Sequence, residues 1–333
     1  MTSRAEGRVL ARNAARLALR LPVRLVGRPF AAMLVYALQL TRRRGGVALV
    51  YHSVAPSQGD PRREVVAPHG AALFEAQMRH LRAHYRIVAA HDLLDAVRSR
   101  RRGERFPAAV TFDDDLACHA RITLPILRRT GVRATFFLCG ASLERPFRFW
   151  WERLQDVHDR SPEEAARLVD GGPVRPVLEL AWCVEELPAQ ERDAVAARLA
   201  DALGPDPADA GMRLADVREL AEGGMDIGFH TRRHDALPPL DDERLAAALA
   251  EGRAELEAAA GRRLATVGYP HGRADSRVGA AAQRAGFATG MSVGGRGVEP
   301  GDDPLLVPRV FPLYRSAGHF ALQLVLMLVR TRS

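Results

Sequence analysis

The sequence predicts an α/β domain built on a mostly parallel sheet, and three observations carry that prediction. Short apolar runs alternate along the chain with stretches of helical periodicity. The joins between them are short, as in strand–helix–strand units. Several runs also stop abruptly in acidic or imidazole side chains, most plainly Ala108-Ala109-Val110-Thr111-Phe112, which ends in Asp113-Asp114-Asp115. In parallel α/β folds ligands gather at the C-terminal ends of the strands, so those endings mark the expected site.

Composition sets the outer bounds. With 333 residues, 47% apolar and 26% charged, the chain is long enough to bury a full core and reads as an ordinary globular protein. The net charge is +8, and all 48 basic residues are arginine, since the sequence contains no lysine. Any mechanism that needs a catalytic lysine is therefore excluded. Cys118, Cys139 and Cys183 are too few and too scattered for a disulfide framework or a CxxC zinc site, which suggests free thiols in a reducing compartment. Arginine is spread over the chain without a nucleic-acid-binding motif, so no nucleic-acid partner is expected.

Residues 1–45 form a basic amphipathic segment. Arg4, Arg8, Arg12, Arg16, Arg20 and Arg24 recur every fourth residue, and an apolar run over 30–40 leads to Arg42-Arg43-Arg44. That run is too short to span a bilayer and no small-residue cleavage site follows it. It suits either an anionic membrane surface or a solvated helix packed on the domain. The tail, 316–333, has a similar apolar-then-basic character. Gly46–Val54 reads as the first core strand, ending near His52. Helical periodicity follows over Phe74–Tyr85 and His91–Ser99, then the strand ending in the Asp triplet, a helix stopped by Gly131, and a strand over Ala134–Leu138. Residues 142–215 break the rhythm and read as a helical insertion holding Trp150, Trp151 and Trp182, whose rings are expected in its core. The rhythm resumes with a helix over Leu214–Gly223 and a short strand running into His230 and His234. One long helix over Leu245–Ala260, a strand over Leu264–Gly272, a helix over Val278–Gly286 and a closing strand over Val307–Pro312 complete the domain.

Three adjacent carboxylates repel one another and call for a cation, a shared proton or water beside them. The bland alternative is a solvated acidic turn. Two histidines at i and i+4 fall on one face of a helical turn, which suits chelation of a divalent ion; with one carboxylate from another strand end they make a site with open coordination positions. Zn²⁺ suits such donors, though other first-row metals fit them too.

Thr111-Phe112-Asp113-Asp114 followed by His230-Thr231-Arg232-Arg233-His234 resembles the first two motifs of the polysaccharide deacetylases, the NodB-homology group or carbohydrate esterase family 4. Tyr269-Pro270-His271-Gly272 is similar to the third motif. Tyr51-His52-Ser53-Val54 resembles the N-terminal Tyr-His-x-Val of the permuted subgroup that acts on exopolysaccharide. The resemblance covers about 46–315 and implies a distorted (β/α)7-type barrel carrying the helical insertion. It further implies that Asp114, His230 and His234 hold the metal, that Asp113 is the general base toward water, and that His52 is the general acid for the departing amine. The implied activity is removal of an acetyl group from an N-acetylated glycan or glycan precursor; the rival from another class is a carbohydrate-binding protein that keeps the fold without turnover.

Three positions depart from the pattern. Asp115 stands where the family has glycine; capping of the next helix is the expected role, with substrate binding or positioning of Arg121 or Arg273 as alternatives. No arginine precedes Pro270, so Arg309, at a strand end, is the expected substitute for orienting Asp113, with Arg273 as the other candidate. His271 replaces an aromatic residue and is expected to be structural or to support the site without binding the metal. Tyr269, Pro270, Asp115 and Arg309 are thus the candidate substrate-side residues. A phosphatase with a strand-end Asp-x-Asp, here Asp113 and Asp115, falls for want of a lysine. The location expected is cytoplasmic, with peripheral contact at the inner membrane face.

Overall fold

The computed structural model describes residues 26–331. The arginine ladder from Arg4 to Arg24 lies outside the described residues. In chain order the first half runs α1 (26–39), β1 (Val47–Tyr51), β2 (Val54–Ala55), β3 (His69–Gly70), α2 (Ala71–His84), β4 (Arg86–Ile87), α3 (Leu93–Ser99), β5 (Pro107–Asp113), α4 (Leu124–Thr130) and β6 (Thr135–Leu138). Four helices follow: α5 (Trp150–Arg160), α6 (Pro162–Val169), α7 (Val177–Glu185) and α8 (Ala189–Leu203). The second half holds α9 (Leu214–Glu222), β7 (Asp226–Phe229), α10 (Asp242–Ala248), α11 (Arg253–Ala260), β8 (Thr266–Gly268), α12 (Ser276–Arg284), β9 (Thr289–Val293), β10 (Val307–Arg309) and α13 (Ala317–Arg330).

The main sheet runs β1-β5-β6-β7-β8-β9-β10, with β4 beside the first residues of β5. Every pair in it is parallel. Val50 N–H donates to Val310 O at 3.0 Å and Val310 N–H to Ala48 O at 2.9 Å, which joins the last strand to the first. The result is the expected distorted barrel ringed by helices.

Period-two alternation decides what faces the barrel interior. On β5, Ala108, Val110 and Phe112 pack outward into the large core beneath α2 and α4, while Ala109 joins Ala48, Phe137, Met291 and Val307 in a separate inner cluster. Thr111 and Asp113 share the inward parity of Ala109, and Arg309 that of Val307. Phe137 fills the interior because its neighbours are Gly228 and Gly268; a Cβ added at either would come within 2.5 or 2.7 Å of its ring. The guanidinium of Arg309 lies over that ring at 5.3 Å. Glycine on two strands thus makes room for the ring that supports the site.

Helices α5 to α8 bury their own cluster, including Leu154, Val157, Leu180, Val184 and Leu199. The single long helix expected over Leu245–Ala260 is two helices, broken at Gly252, whose φ of 77° lies in the left-handed region. The strand β9 has no counterpart in the sequence reading, since Gly290 and Ser292 interrupt its apolar pattern. The three cysteines are free.

Candidate active site

Each residue of the constellation sits just at or beyond the C-terminal end of a strand. Asp113 closes β5 and Asp114 follows it, His52 follows β1, His230 follows β7, and Arg309 closes β10. Asp114 has φ 74°, Thr231 φ 58°, His234 φ 52° and His271 φ 58°; these four are the non-glycine residues with positive φ among the described residues. L side chains rarely adopt this region, and its clustering around one cleft marks a backbone held in place by its surroundings. His119 is one such hold. It is buried, and its Nε2–H bridges the carbonyl oxygens of Asp113 and Asp114 at 3.1 Å each.

The three expected metal ligands converge. One ligand atom each from Asp114, His230 and His234 lie within 4.8 Å of one another. His230 donates Nδ1–H to Gly268 O at 2.7 Å, which leaves the Nε2 lone pair facing Asp114 Oδ1 at 3.7 Å. His234 Nε2 stands 3.4 Å from the same oxygen. Burial holds His230 down to about 4 and pushes His234 well below the usual imidazole range, so both rings are neutral and able to ligate. Asp114 Oδ1 is buried with no hydrogen-bond partner. Its carboxyl is pushed well above the ordinary carboxylate range by burial and then by the charges of Asp113 and Asp115. An orphaned carboxylate oxygen beside two neutral imidazoles is a donor set that a divalent cation completes. The histidine pair does not ride on a helical turn as its spacing suggested. It spans a tight loop, and the left-handed Thr231 and His234 bring the two rings to 4.9 Å.

Asp113 is held by Arg309. The fully buried guanidinium donates Nη1–H to Oδ1 at 2.5 Å and Nη2–H to Oδ2 at 2.8 Å, and also reaches Thr111 Oγ1 at 3.2 Å. Burial alone would raise the Asp113 carboxyl, but Arg309, with help from His230 and His52, holds it below its ordinary value. Arg309 is therefore the arginine that the third motif lacks. Arg273, the other candidate for orienting Asp113, pairs instead with Glu186 at the surface, and Arg121, the other arginine that Asp115 was offered as positioning, pairs with Asp209.

A cavity of about 340 Å³ opens over these groups. His52, Asp114, His234 and His271 line it, together with Trp150, Trp151, Phe311 and Glu185. Burial lowers the His52 imidazole, the negative Asp113 pulls it back up, and its ring stacks on Phe311 with centroids 5.9 Å apart. The tryptophans divide: Trp151 is buried against His234 at 4.8 Å, Trp150 is half-buried on the cavity wall, and Trp182 is exposed. His271 points into the same space, with Nδ1–H donated to Glu185 of α7 at 2.9 Å and its ring 4.7 Å from that of His234. Neither Glu185 nor His119 stood out in the sequence; Glu185 is one acid among many on an amphipathic helix.

Three expected substrate-side residues sit elsewhere. Asp115 is buried and caps no helix. Its Oδ1 accepts N–H from Cys139 at 2.8 Å and Gly140 at 3.2 Å, and its Oδ2 accepts from the Ser142 N–H at 3.3 Å and hydroxyl at 3.4 Å. It ties down the loop after β6. Tyr269 is fully buried and donates its hydroxyl to Leu305 O at 2.8 Å, and Pro270 is buried in the turn that presents His271. Both shape the third-motif loop from beneath, away from the cavity.

A parallel barrel with an Asp-His-His cluster and an arginine-clamped aspartate at one mouth defines a hydrolase-type site. Residues 100–175 and 202–290 match the family model of the polysaccharide deacetylases, and the chain belongs to that family. The intervening unmatched stretch covers most of α7 and α8. None of the curated proteins matches this sequence. Among solved structures, the fold is similar to that of a Streptococcus pyogenes deacetylase, PplD, in complex with acetate (TM-score 0.59, 14% identity, covering 85% of this chain and 99% of that one). It is also similar to IcaB from Ammonifex degensii (TM-score 0.55, 20% identity, 84% and 98%). A polysaccharide deacetylase of Bacillus cereus, BC0361, gives a TM-score of 0.56 at 16% identity, covering 85% and 69%. At these identities the likeness is one of fold.

Proposed function

We propose that this chain is a metal-dependent N-deacetylase acting on an N-acetylated sugar of a polysaccharide or glycan precursor. The observation that carries the reading is the convergence of Asp114, His230 and His234 within 4.8 Å beside an Asp113 locked by Arg309. Asp114 Oδ1, His230 Nε2 and His234 would hold a divalent cation, for which Zn²⁺ suits the donors. When bound, that cation polarises the acyl carbonyl and favours ionisation of water.

The chain's own groups supply the proton traffic. Asp113, kept ionised by Arg309, accepts a proton from the attacking water, and its fixed carboxylate orients that water. The water oxygen bonds to the carbonyl carbon, the C–N bond breaks, and the amine nitrogen takes a proton from His52. The products are acetate and a free amino sugar. The Asp113 charge counteracts burial at His52, which helps this ring hold a proton as the amine departs. Trp150 and Phe311 offer apolar faces suited to a sugar ring.

The test is acetate release from free, lipid-linked and polymeric N-acetylhexosamines, measured after chelation and again after zinc is restored. Release that is lost and then recovered supports the reading. No release from any of the three by the zinc-loaded chain would refute it.

A further inference from the structure

Helices α1 and α13 pack side by side on the flank of the barrel. A Cβ added at Gly27 would meet Gly318 at 3.2 Å, and Arg43 at the end of α1 donates to the carbonyls of Leu328 and Val329 at 3.3 and 3.1 Å. Their inner faces are ordinary core, with Ala31, Val35, Phe320, Leu324 and Leu328 buried. The outer faces are not ordinary surface. Val26, Phe30, Met33 and Tyr36 on α1, Leu40 just after it, and Leu326 and Val329 on α13 are between 47% and 63% exposed. Their spacing on α1 places them in one stripe. Neither helix contains a single Asp or Glu. A solvated helix normally carries charge of both signs on its outer face, so the acid-free apolar stripe is a patch that asks for a partner.

The charges around this patch select the partner. Arg28, Arg42, Arg44, Arg315 and Arg330 are exposed at its borders. The sequence leading into α1 adds Arg4, Arg8, Arg12, Arg16, Arg20 and Arg24 against one acid, Glu6. No helix among the described residues is long and apolar enough to cross a bilayer, so contact would be along the surface. The patch also reaches toward the catalytic mouth. Leu313 lines a groove with Leu322, Leu326 and Met327 of α13, and Phe311, two residues earlier on the same loop, lines the active-site cavity.

We propose that the paired α1–α13 face docks on the surface of an anionic lipid bilayer, with its apolar stripe at the acyl boundary and its arginines at the headgroups. This is independent of the catalytic reading, and it places the cavity mouth beside the lipid surface.

The experiment is flotation of the full chain with phosphatidylcholine vesicles prepared with and without phosphatidylglycerol. The parent chain is compared with F30E/M33E and with R42E/R44E, alongside sedimentation velocity and thermal melts. Binding to the anionic vesicles that falls with salt, and that each double variant weakens by roughly tenfold or more, is the expected result. All four substituted positions are exposed, so melting temperatures are expected to hold; the arginine variant keeps the test informative if the apolar one unfolds. Absence of binding to anionic vesicles would overturn the proposal, as would binding that neither variant changes. A parent dimer that F30E/M33E converts to monomer would also overturn it, because a second copy would then be the occupant.

Discussion

Arg309 on β10 grips both carboxylate oxygens of Asp113 on β5, at 2.5 and 2.8 Å, with no exposure of the guanidinium to solvent. The two residues lie on strands that are not neighbours, and they meet because both point inward at one end of the barrel. A buried carboxylate stripped of its partner is expensive. Replacement of Arg309 by Met is expected to cost about 3–5 kcal/mol in denaturant unfolding. Arg309→Lys keeps the charge but loses the fork. Arg309→Met removes the charge that counters burial at Asp113, so the acid limb of the pH–rate profile should move to higher pH, and by less in Arg309→Lys. A profile that stays in place in Arg309→Met would show that Asp113 is tuned by something else.

Asp115 makes a separable prediction. It anchors the backbone of Cys139, Gly140 and Ser142 and lies apart from the ligand set. Asp115→Ala should destabilise the fold by about 2–3 kcal/mol, in line with the loss of charged hydrogen bonds to buried donors. Zinc content of the folded fraction should not change. A raised KM with unaltered stability would instead mean that Asp115 faces substrate.

Buried neutral histidines make the fold acid-labile. Burial lowers His69 to about 4, His80 to about 3 and His119 to about 4. In the unfolded chain each titrates near ~6.5. As pH falls below that value the unfolded chain binds protons that the folded chain refuses until about pH 4, so stability present above pH ~6.5 is lost through this window. Near pH 5 the three together give a slope approaching about 4 kcal/mol per pH unit. Urea unfolding between about pH 7 and pH 5 reads the total slope, which His52, His230 and His234, also lowered by burial, steepen and the raised carboxyls of Asp115 and Glu152 offset, and His80→Leu should reduce it by about 1.3 kcal/mol per pH unit. An unchanged slope would mean that His80 is already protonated in the folded chain.

Much of this site was legible in the sequence, for physical reasons. Apolar runs that end in acids or histidine mark strand ends, and strand parity then decides which side chains meet. That logic turns Asp113, His230 and Arg309 inward at the strand ends; Asp114, of opposite parity, was expected at the site from the motif resemblance and comes in through its left-handed backbone. What it missed depends on contacts that sequence spacing does not encode. The partners of Asp115 are backbone N–H groups of a distant loop. The His230–His234 approach is made by left-handed residues that are not glycine. Tyr269 could face either way on its turn, and its hydroxyl found Leu305 O beneath the loop. Glu185 reaches His271 only because α7 folds back over the cavity.

The proposed mechanism divides the labour between adjacent aspartates: Asp114 would be a ligand and Asp113 the base. The most direct measurement is zinc content and acetate release, taken together, for Asp113→Asn. Metal is expected to bind at the parent stoichiometry with turnover reduced by at least about a thousandfold, the scale of an essential acid–base group. Loss of the metal along with activity, or substantial turnover with the metal retained, would contradict it.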